Sequence, residues 1–301
     1  MKRLFICLVL GLALILSGGM AMGHTTVGNG GDGFKDASLP PKGFYFKYYN
    51  YFYQAQQYNN GGWGQNKYMK YHYATDVNMF RFMWSTGQQF LGGELFADFI
   101  VPFSYQYVYK GEELGYRDRF DVGDVHVDLL NAWHGSWYDA YAGLKVILPT
   151  GTYSSSPNFV STGSNFWTLS PVVGATLFFD DAKTWAATFC AYYEFHTVQQ
   201  DTQWLPGQSF HVNWSFGKSI NDYFSLALSG FCYWDTTPWS GKGVKETDVY
   251  NRIGAAYGAG PEIGVNIPEV GLFFQLRHEW EFAVANRPQG TATVFTVTYA
   301  F

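Results

Sequence analysis

Three short stretches carry residue types that do chemistry in other proteins. In "DVHVD", Asp124, His126 and Asp128 stand at alternate positions. A carboxylate–imidazole–carboxylate row on one face of a strand could bind a metal ion or relay a proton. In "WHGS", His134 and Ser136 are the types from which a hydrolase builds a base and a nucleophile. "GNGGDG" at 28–33 has the glycines of a phosphate-cradling loop. Each fails on context. One strand offers fewer convergent ligands than a metal site needs, so no metal and no other cofactor is expected. His134 and Ser136 fall where a turn is expected. The glycine run follows no strand and opens no helix, as a nucleotide loop must. It reads instead as a flexible segment or as a plug. His24 could chelate copper through its amine and ring only if cleavage made it the first residue and a second His lay beside it.

What the remaining candidates share is parity. From residue 43 onward, apolar and polar or small residues alternate with period two. The pattern predicts twelve strands, roughly 43–56, 68–84, 90–107, 120–134, 137–149, 164–180, 184–200, 208–218, 222–234, 247–266, 270–285 and 290–301. Links after the even strands are short: "STGQQ", "GS", "DDAK", "SIND" and "PEV". Links after the odd strands are mostly long and polar, as in "QQYNNGGWGQNK" and "TGTYSSSPNFVSTGS"; the last, "ANRPQG", is shorter. Tight turns at one end and long loops at the other describe an all-β, closed antiparallel transmembrane barrel, with short periplasmic turns, longer extracellular loops and both termini periplasmic. Hydrocarbon leaves unpaired backbone groups no partner, so strands cross it only as a closed barrel.

Composition fits that solvent. Aromatics make up 20% of the 301 residues and charged residues only 14%, against about 25% charged in a typical globular domain. Mean hydropathy is nevertheless −0.13, because the apolar residues are interleaved with polar ones. Soluble sandwiches and propellers use shorter strands and present fewer Tyr and Phe outward. Residues 1–23 read as a signal peptide: Lys2 and Arg3, an apolar core from Leu4 to Leu16, then small residues. Cys7 lies too early for lipid attachment. Residues 24–42 form a periplasmic N-terminal segment and potential plug, with "LPP" stiffening the approach to the barrel at 43–301. Without the leader, 17 basic and 24 acidic residues give a net charge of −7, with no basic patch for nucleic acid. Cys190 and Cys232 fall on opposite faces, so no disulfide is expected.

Parity sorts the walls. Phe210, Val212, Trp214 and Phe216 form an outward row, with His211, Asn213 and Ser215 inward; Leu95, Ala97, Phe99 and Val101 face out. The inward candidates are His72, Asp76 and Asn78, then Glu94 and Asp98, then Asp124, His126 and Asp128, then Asp139 and Lys145. Glu194 and His196, Arg252, and Arg277, Glu279 and Glu281 complete the set. Charges of both signs in a small barrel either fill it as an ion-paired plug or form a constriction that selects solutes. Trp63, Tyr109, Tyr116, Tyr153, Trp204 and Trp239 in the loops suit anchoring at the membrane interface, or capture of an aromatic or sugar-like solute. The last stretch, "TVFTVTYAF", places Phe295, Val297, Tyr299 and Phe301 on the lipid row of a strand that must pair with Phe44–Phe52 to remove both sheet edges. Its terminal Phe301 fits the signal that outer-membrane barrels present to their assembly machinery.

The order and spacing of "DASLPPKGFYFKYYNYFY", "GDVHVDLLNAWHGSWYDAYAGLKVILPTGTY", "NFWTLSPVVGATLFF" and "PGQSFHVNWSFGKSI" resemble the outer-membrane family named for the meta-pathway of phenol degradation. The resemblance covers most of the chain after the leader. "HTVQQDTQ" departs from it, where Asn and Thr are more usual. The resemblance implies passive uptake of small hydrophobic or aromatic compounds, and it supplies no catalytic residues. Two other readings remain: a plugged structural or adhesive barrel without transport, and a membrane-embedded lipid-modifying enzyme.

Overall fold

The structure is a computed structural model that describes residues 29–59, 71–109, 115–156, 158–242, 244 and 252–301. The leader, His24 and Trp63 lie outside these residues. Fifteen strands follow in chain order: β1 (Gly43–Asn59), β2 (Tyr73–Phe90), β3 (Gly93–Tyr109), β4 (Tyr116–Val122), β5 (Val125–His134), β6 (Tyr138–Leu148), β7 (Thr168–Phe178), β8 (Trp185–His196), β9 (Trp204–Leu205), β10 (Ser209–Ser219), β11 (Phe224–Asp235), β12 (Ser240–Gly241), β13 (Ala255–Ile267), β14 (Leu272–Ala285) and β15 (Arg287–Ala300). β9 and β12 pair only with each other, among the loops. The other thirteen form one antiparallel sheet that closes where β1 pairs with β15.

β4 and β5 are a single stave broken at Gly123–Asp124, so the barrel has twelve staves. The break has a cause in β3. Pro102 has no N–H to donate, and Gly123 N instead donates to its carbonyl at 2.8 Å. β3 pairs with β4 up to Phe103–Val122 and resumes with β5 at Ile100–His126. Three residues thus face two, a bulge that bends the wall. Asn286, at φ 54°, alone separates β14 from β15. The expected link "ANRPQG" is therefore mostly strand, because Arg287–Gly290 continue the pairing with β1.

Alternation gives the wall two faces. Phe82, Trp84, Phe99, Leu129, Phe189, Leu228 and Leu276 point out and stay exposed, while their strand neighbours are buried. In water such a surface would aggregate; against hydrocarbon it is the matching solvent. β1 and β2 each exceed fifteen residues, ample for a spanning strand of about 9–11 residues. Aromatic rows lock neighbouring staves outside: Phe44 stacks on Trp84 at 5.7 Å between ring centroids, and Phe82 on Phe99 at 4.8 Å. Cys190 points in and Cys232 out, both as free thiols.

Every turn at one end is short, including Leu91–Gly92 and the 3-10 turn Pro268–Val270. The long connections lie at the other end. β1 begins and β15 ends at the turn end. There Phe301 N donates to Phe44 O at 3.2 Å, continuing the seam one residue past β15.

Candidate functional site: the lumen and its N-terminal segment

The inward rows bring most of the expected charges together. Arg81 Nη2 lies 2.6 Å from Asp98 and 3.8 Å from Asp128, and Lys145 Nζ lies 3.1 Å from Asp128. These groups come from β2, β3, β5 and β6, so the ladder crosses four staves. His126 is buried beside them. Further round, Glu194 Oε2 accepts from Ser209, and His196 Nδ1 lies 2.8 Å from Thr168 Oγ1. Glu281 accepts from Tyr53 at 2.8 Å and from Gly290 N at 2.7 Å. Arg277 and Glu279 are both fully buried, 3.9 Å apart.

Several candidates sit elsewhere. Asp124 occupies the stave break, where its carboxylate takes the N–H groups of Gly151 (2.9 Å) and Ser164 (2.8 Å) and so pins the loop after β6. Glu94 closes the turn end, accepting from Gly87 N at 2.9 Å. Arg252 precedes β13 and belongs to no strand, a correction to its expected wall position. Asp139 holds His134 at 3.1 Å at the turn end, and Ser136 forms no hydrogen bond with either among the described residues. Among the described residues no group of three His, Cys, Asp or Glu is placed to hold a metal. Tyr109 and Tyr116 are strand residues rather than loop residues, with rings 5.0 Å apart on the outer wall.

The parity of β2 is opposite to that expected. Thr75, Arg81, Met83 and Ser85 point inward, so His72, Asp76 and Asn78 face outward. Polar residues occur on both parities of "HYATDVNMFR", so polarity alone misled. Phe80, Phe82 and Trp84 share the even row and mark it as the outer one. The shift adds Arg81 to the lumen; Lys47, Asp235, Glu262 and Arg287 are inward charges the pattern also missed.

Residues 29–42 lie against the inner face. Arg277 donates to Gly30 O at 2.8 Å and to Gly31 O at 2.6 Å. Gly30 N donates to Asn213 Oδ1 at 2.9 Å. Asp32 accepts from Tyr192 at 2.6 Å and from Asn213 at 2.8 Å. Phe34 N donates to Glu262 at 2.9 Å, and Lys47 holds Asp36 at 3.0 Å. The glycines serve close approach: Gly30 has φ 67°, and a Cβ there would overlap the Glu279 carboxylate. No periodicity reveals this segment, because its partners are side chains distant in sequence. Burial opposes the charge on Asp36, but the Lys47 ammonium and the Arg277 guanidinium outweigh it and hold the carboxyl below the usual 3.8.

Above the segment the lumen is mixed. A cavity of about 70 Å³ lies between Asp32, Asp36, Tyr49, Tyr51, Arg81 and Lys145. Toward the loop end an apolar, tyrosine-rich cluster includes Tyr51, Tyr53, Tyr73, Val108 and Val294, capped by Val160 from the loop after β6. Arg119 stacks over Phe159 at 3.9 Å and holds that loop in. On the turn side a cavity of about 390 Å³ lies between the segment and the wall, bounded by Leu39, Lys47, Met83, Phe224 and Phe273.

Comparison with known proteins follows the same lines. A COG4313 outer membrane channel from Pseudomonas putida F1 superposes with a TM-score of 0.76 at 15% identity, over 87% of this chain and 97% of that one. The beta domain of the Bordetella autotransporter BrkA gives 0.49 at 12% identity, over 85% of this chain and 99% of that one. No curated protein matches the sequence. The profile of one family matches residues 54–297, most of the barrel, and the chain belongs to that family, described as "Putative MetA-pathway of phenol degradation".

Proposed function

We propose that the chain is an outer-membrane channel for passive entry of small hydrophobic or aromatic compounds, with residues 29–42 as its plug and both termini in the periplasm. The observation that carries this reading is the inner wall over β15, β1, β2 and β3. There Tyr51, Tyr53, Tyr73, Val108 and Val294 make an apolar, aromatic path beside the charge ladder. A channel for ions has no need of such a sector. The fold match to a COG4313 outer membrane channel and the family membership support the same reading. Short turns on the periplasmic side and long loops outside are the arrangement of this barrel class. On that orientation Phe301 sits where an assembly signal would be read.

Passage requires the segment to move. The 70 Å³ cavity above it is well below the roughly 150 Å³ that an apolar cavity needs to take benzene. The segment is held by hydrogen bonds, by the Lys47–Asp36 ion pair and by packing of Phe34, Ala37 and Leu39 on the inner face; none of these is a strand pairing, so the wall's backbone ladder does not depend on it. A second reading, a permanently plugged structural barrel, is favoured by the pairing of Arg81, Asp98, Asp128 and Lys145. Uptake of a radiolabelled alkylbenzene by intact cells separates the two. Cells making the full-length barrel should take it up faster than cells without it, and deletion of 29–42 should raise the rate further. Equal rates in all three strains refute the channel.

A further inference from the structure

On β1 and β2 the outer wall carries a four-residue polar group among its aromatic rows, and the channel gives it no task. Tyr48 and Asn50 of β1 and Asp76 and Asn78 of β2 all point away from the lumen. Tyr48 Oη donates to Asn78 Oδ1 at 2.5 Å, and Asn50 Nδ2 donates to Asp76 Oδ1 at 2.5 Å. Asn78 Nδ2 reaches the same Asp76 oxygen at 3.3 Å. Asp76 Oδ2 accepts from no described residue. On the lumen-opposite face Phe80 lies directly along the strand, tilted against Tyr48 at 5.6 Å and edge-on to Phe103 at 6.0 Å. A carboxylate with an open acceptor therefore stands within an aromatic, lipid-facing surface, where charged groups are destabilising in proportion to their depth.

Its depth follows from the strand. From Trp84 to Asp76, at about 3.3 Å per residue and a tilt of about 35–45°, is roughly 20 Å of height. The apolar band is about 25 Å tall, and Trp84 stacks with Phe44 at the turn end. Asp76 thus lies about 5 Å inside the edge nearer the loops. On the orientation proposed above, on which this inference rests, that is the outer leaflet.

We propose that Tyr48, Asn50, Asp76 and Asn78 bind an outer-leaflet lipid whose acyl chains carry amide N–H and hydroxyl donors near their roots. The group is rich in acceptors and has no Lys or Arg, so it recognises donors and not a lipid phosphate. A glycerophospholipid presents ester carbonyls at this depth, which only accept. An amide-linked hydroxyacyl chain presents the donors that Asp76 lacks. A second copy of the chain fits less well, because an isologous contact centred here sets Asp76 against Asp76.

The test uses the full-length barrel in detergent micelles, titrated with lipid A bearing 3-hydroxyacyl chains or with dioleoyl phosphatidylglycerol, and read by native mass spectrometry. The wild type should bind lipid A at least tenfold more tightly than the phosphatidylglycerol. The triple variant Asn50→Leu, Asp76→Leu, Asn78→Leu should lose that preference, and the isosteric Asp76→Asn, which keeps the local shape, should weaken it severalfold. Monophosphoryl and diphosphoryl lipid A should bind alike. Equal lipid A affinity in wild type and both variants overturns the proposal, as does affinity that follows phosphate number or a dimer abolished by Asp76→Asn. Orientation is checked separately by antibody access, on whole cells, to an epitope inserted after Thr237: access fails if the channel is reversed, whatever the lipid result.

Discussion

Replacing Gly30 by alanine is expected to free the N-terminal segment while leaving the wall intact. Gly30 lies before β1, with φ 67°. A side chain in that region costs about 1–2 kcal/mol. The new Cβ would also overlap the Glu279 carboxylate, which is buried and must be displaced; overpacking of this kind costs about 1–3 kcal/mol. Together these weaken docking by roughly 3 kcal/mol, about a hundredfold in the docked-to-free ratio. Single-channel recording in planar bilayers should show a correspondingly larger open fraction for Gly30→Ala. Gly92→Ala is the control: its φ is 74°, but a Cβ there meets nothing within 4 Å. It carries the same backbone strain in a turn remote from the segment and should conduct like the wild type. An open fraction for Gly30→Ala within twofold of the wild type would show that the segment does not gate the lumen. An equal rise in Gly92→Ala would show that the effect is general destabilisation.

Three further outcomes follow from the lumen. Lys145→Met removes the cation 3.1 Å from buried Asp128, which should lower barrel stability by about 3 kcal/mol; an unchanged urea midpoint with altered ion selectivity would instead mark a constriction. Asp36 is held below the usual carboxylate value of 3.8 by Lys47 and Arg277 against the cost of burial. Its contribution to docking is therefore complete above pH 3.8 and is lost as pH falls through the lower docked value, so the open fraction should rise only in acid, and Asp36→Asn should flatten that response. Val160→Ala thins the apolar cap over Tyr51, Tyr53 and Tyr73 at a cost of about 1 kcal/mol; hydrocarbon uptake should rise, and an unchanged rate would place the path elsewhere.

The wall was legible in the sequence because hydrocarbon enforces one rule on every strand. Phe210, Trp214, Phe295 and Tyr299 had to share a face with lipid, and they do. β2 escaped that rule because Asp76 and Asn78 stand outside, bonded to Asn50 and Tyr48 of β1, while Val77 and Met79 face in beside the tyrosines. Three of the ladder's four members were legible: Asp98, Asp128 and Lys145 follow parity, but Arg81 was hidden by the same inversion. The glycine-rich segment read as a flexible segment or a plug, but the partners of Gly30–Asp36 were not legible. Docking depends on Arg277, Glu262 and Asn213, on β14, β13 and β10 of one side of the wall, meeting a segment far away in sequence, and period-two patterning contains no information about which part of the inner wall such a segment meets.

The β1–β15 seam joins the two ends of the barrel sequence, and this orders events during biogenesis. No earlier stave can complete the cylinder, since β1 lacks its second neighbour until β15 has been delivered. Loop closure over nearly the whole chain makes that last pairing slow. Until it forms, the inner charges have no enclosure. The Gly30–Asp36 segment is tethered to β1 by a short link, so it stays at the turn-end mouth of the cylinder while the seam shuts. Its partners on β8, β10, β13 and β14 come from the late half of the chain. A circular permutant that joins the present termini turns this seam into a local hairpin and moves the last, slow closure to the staves at its new termini.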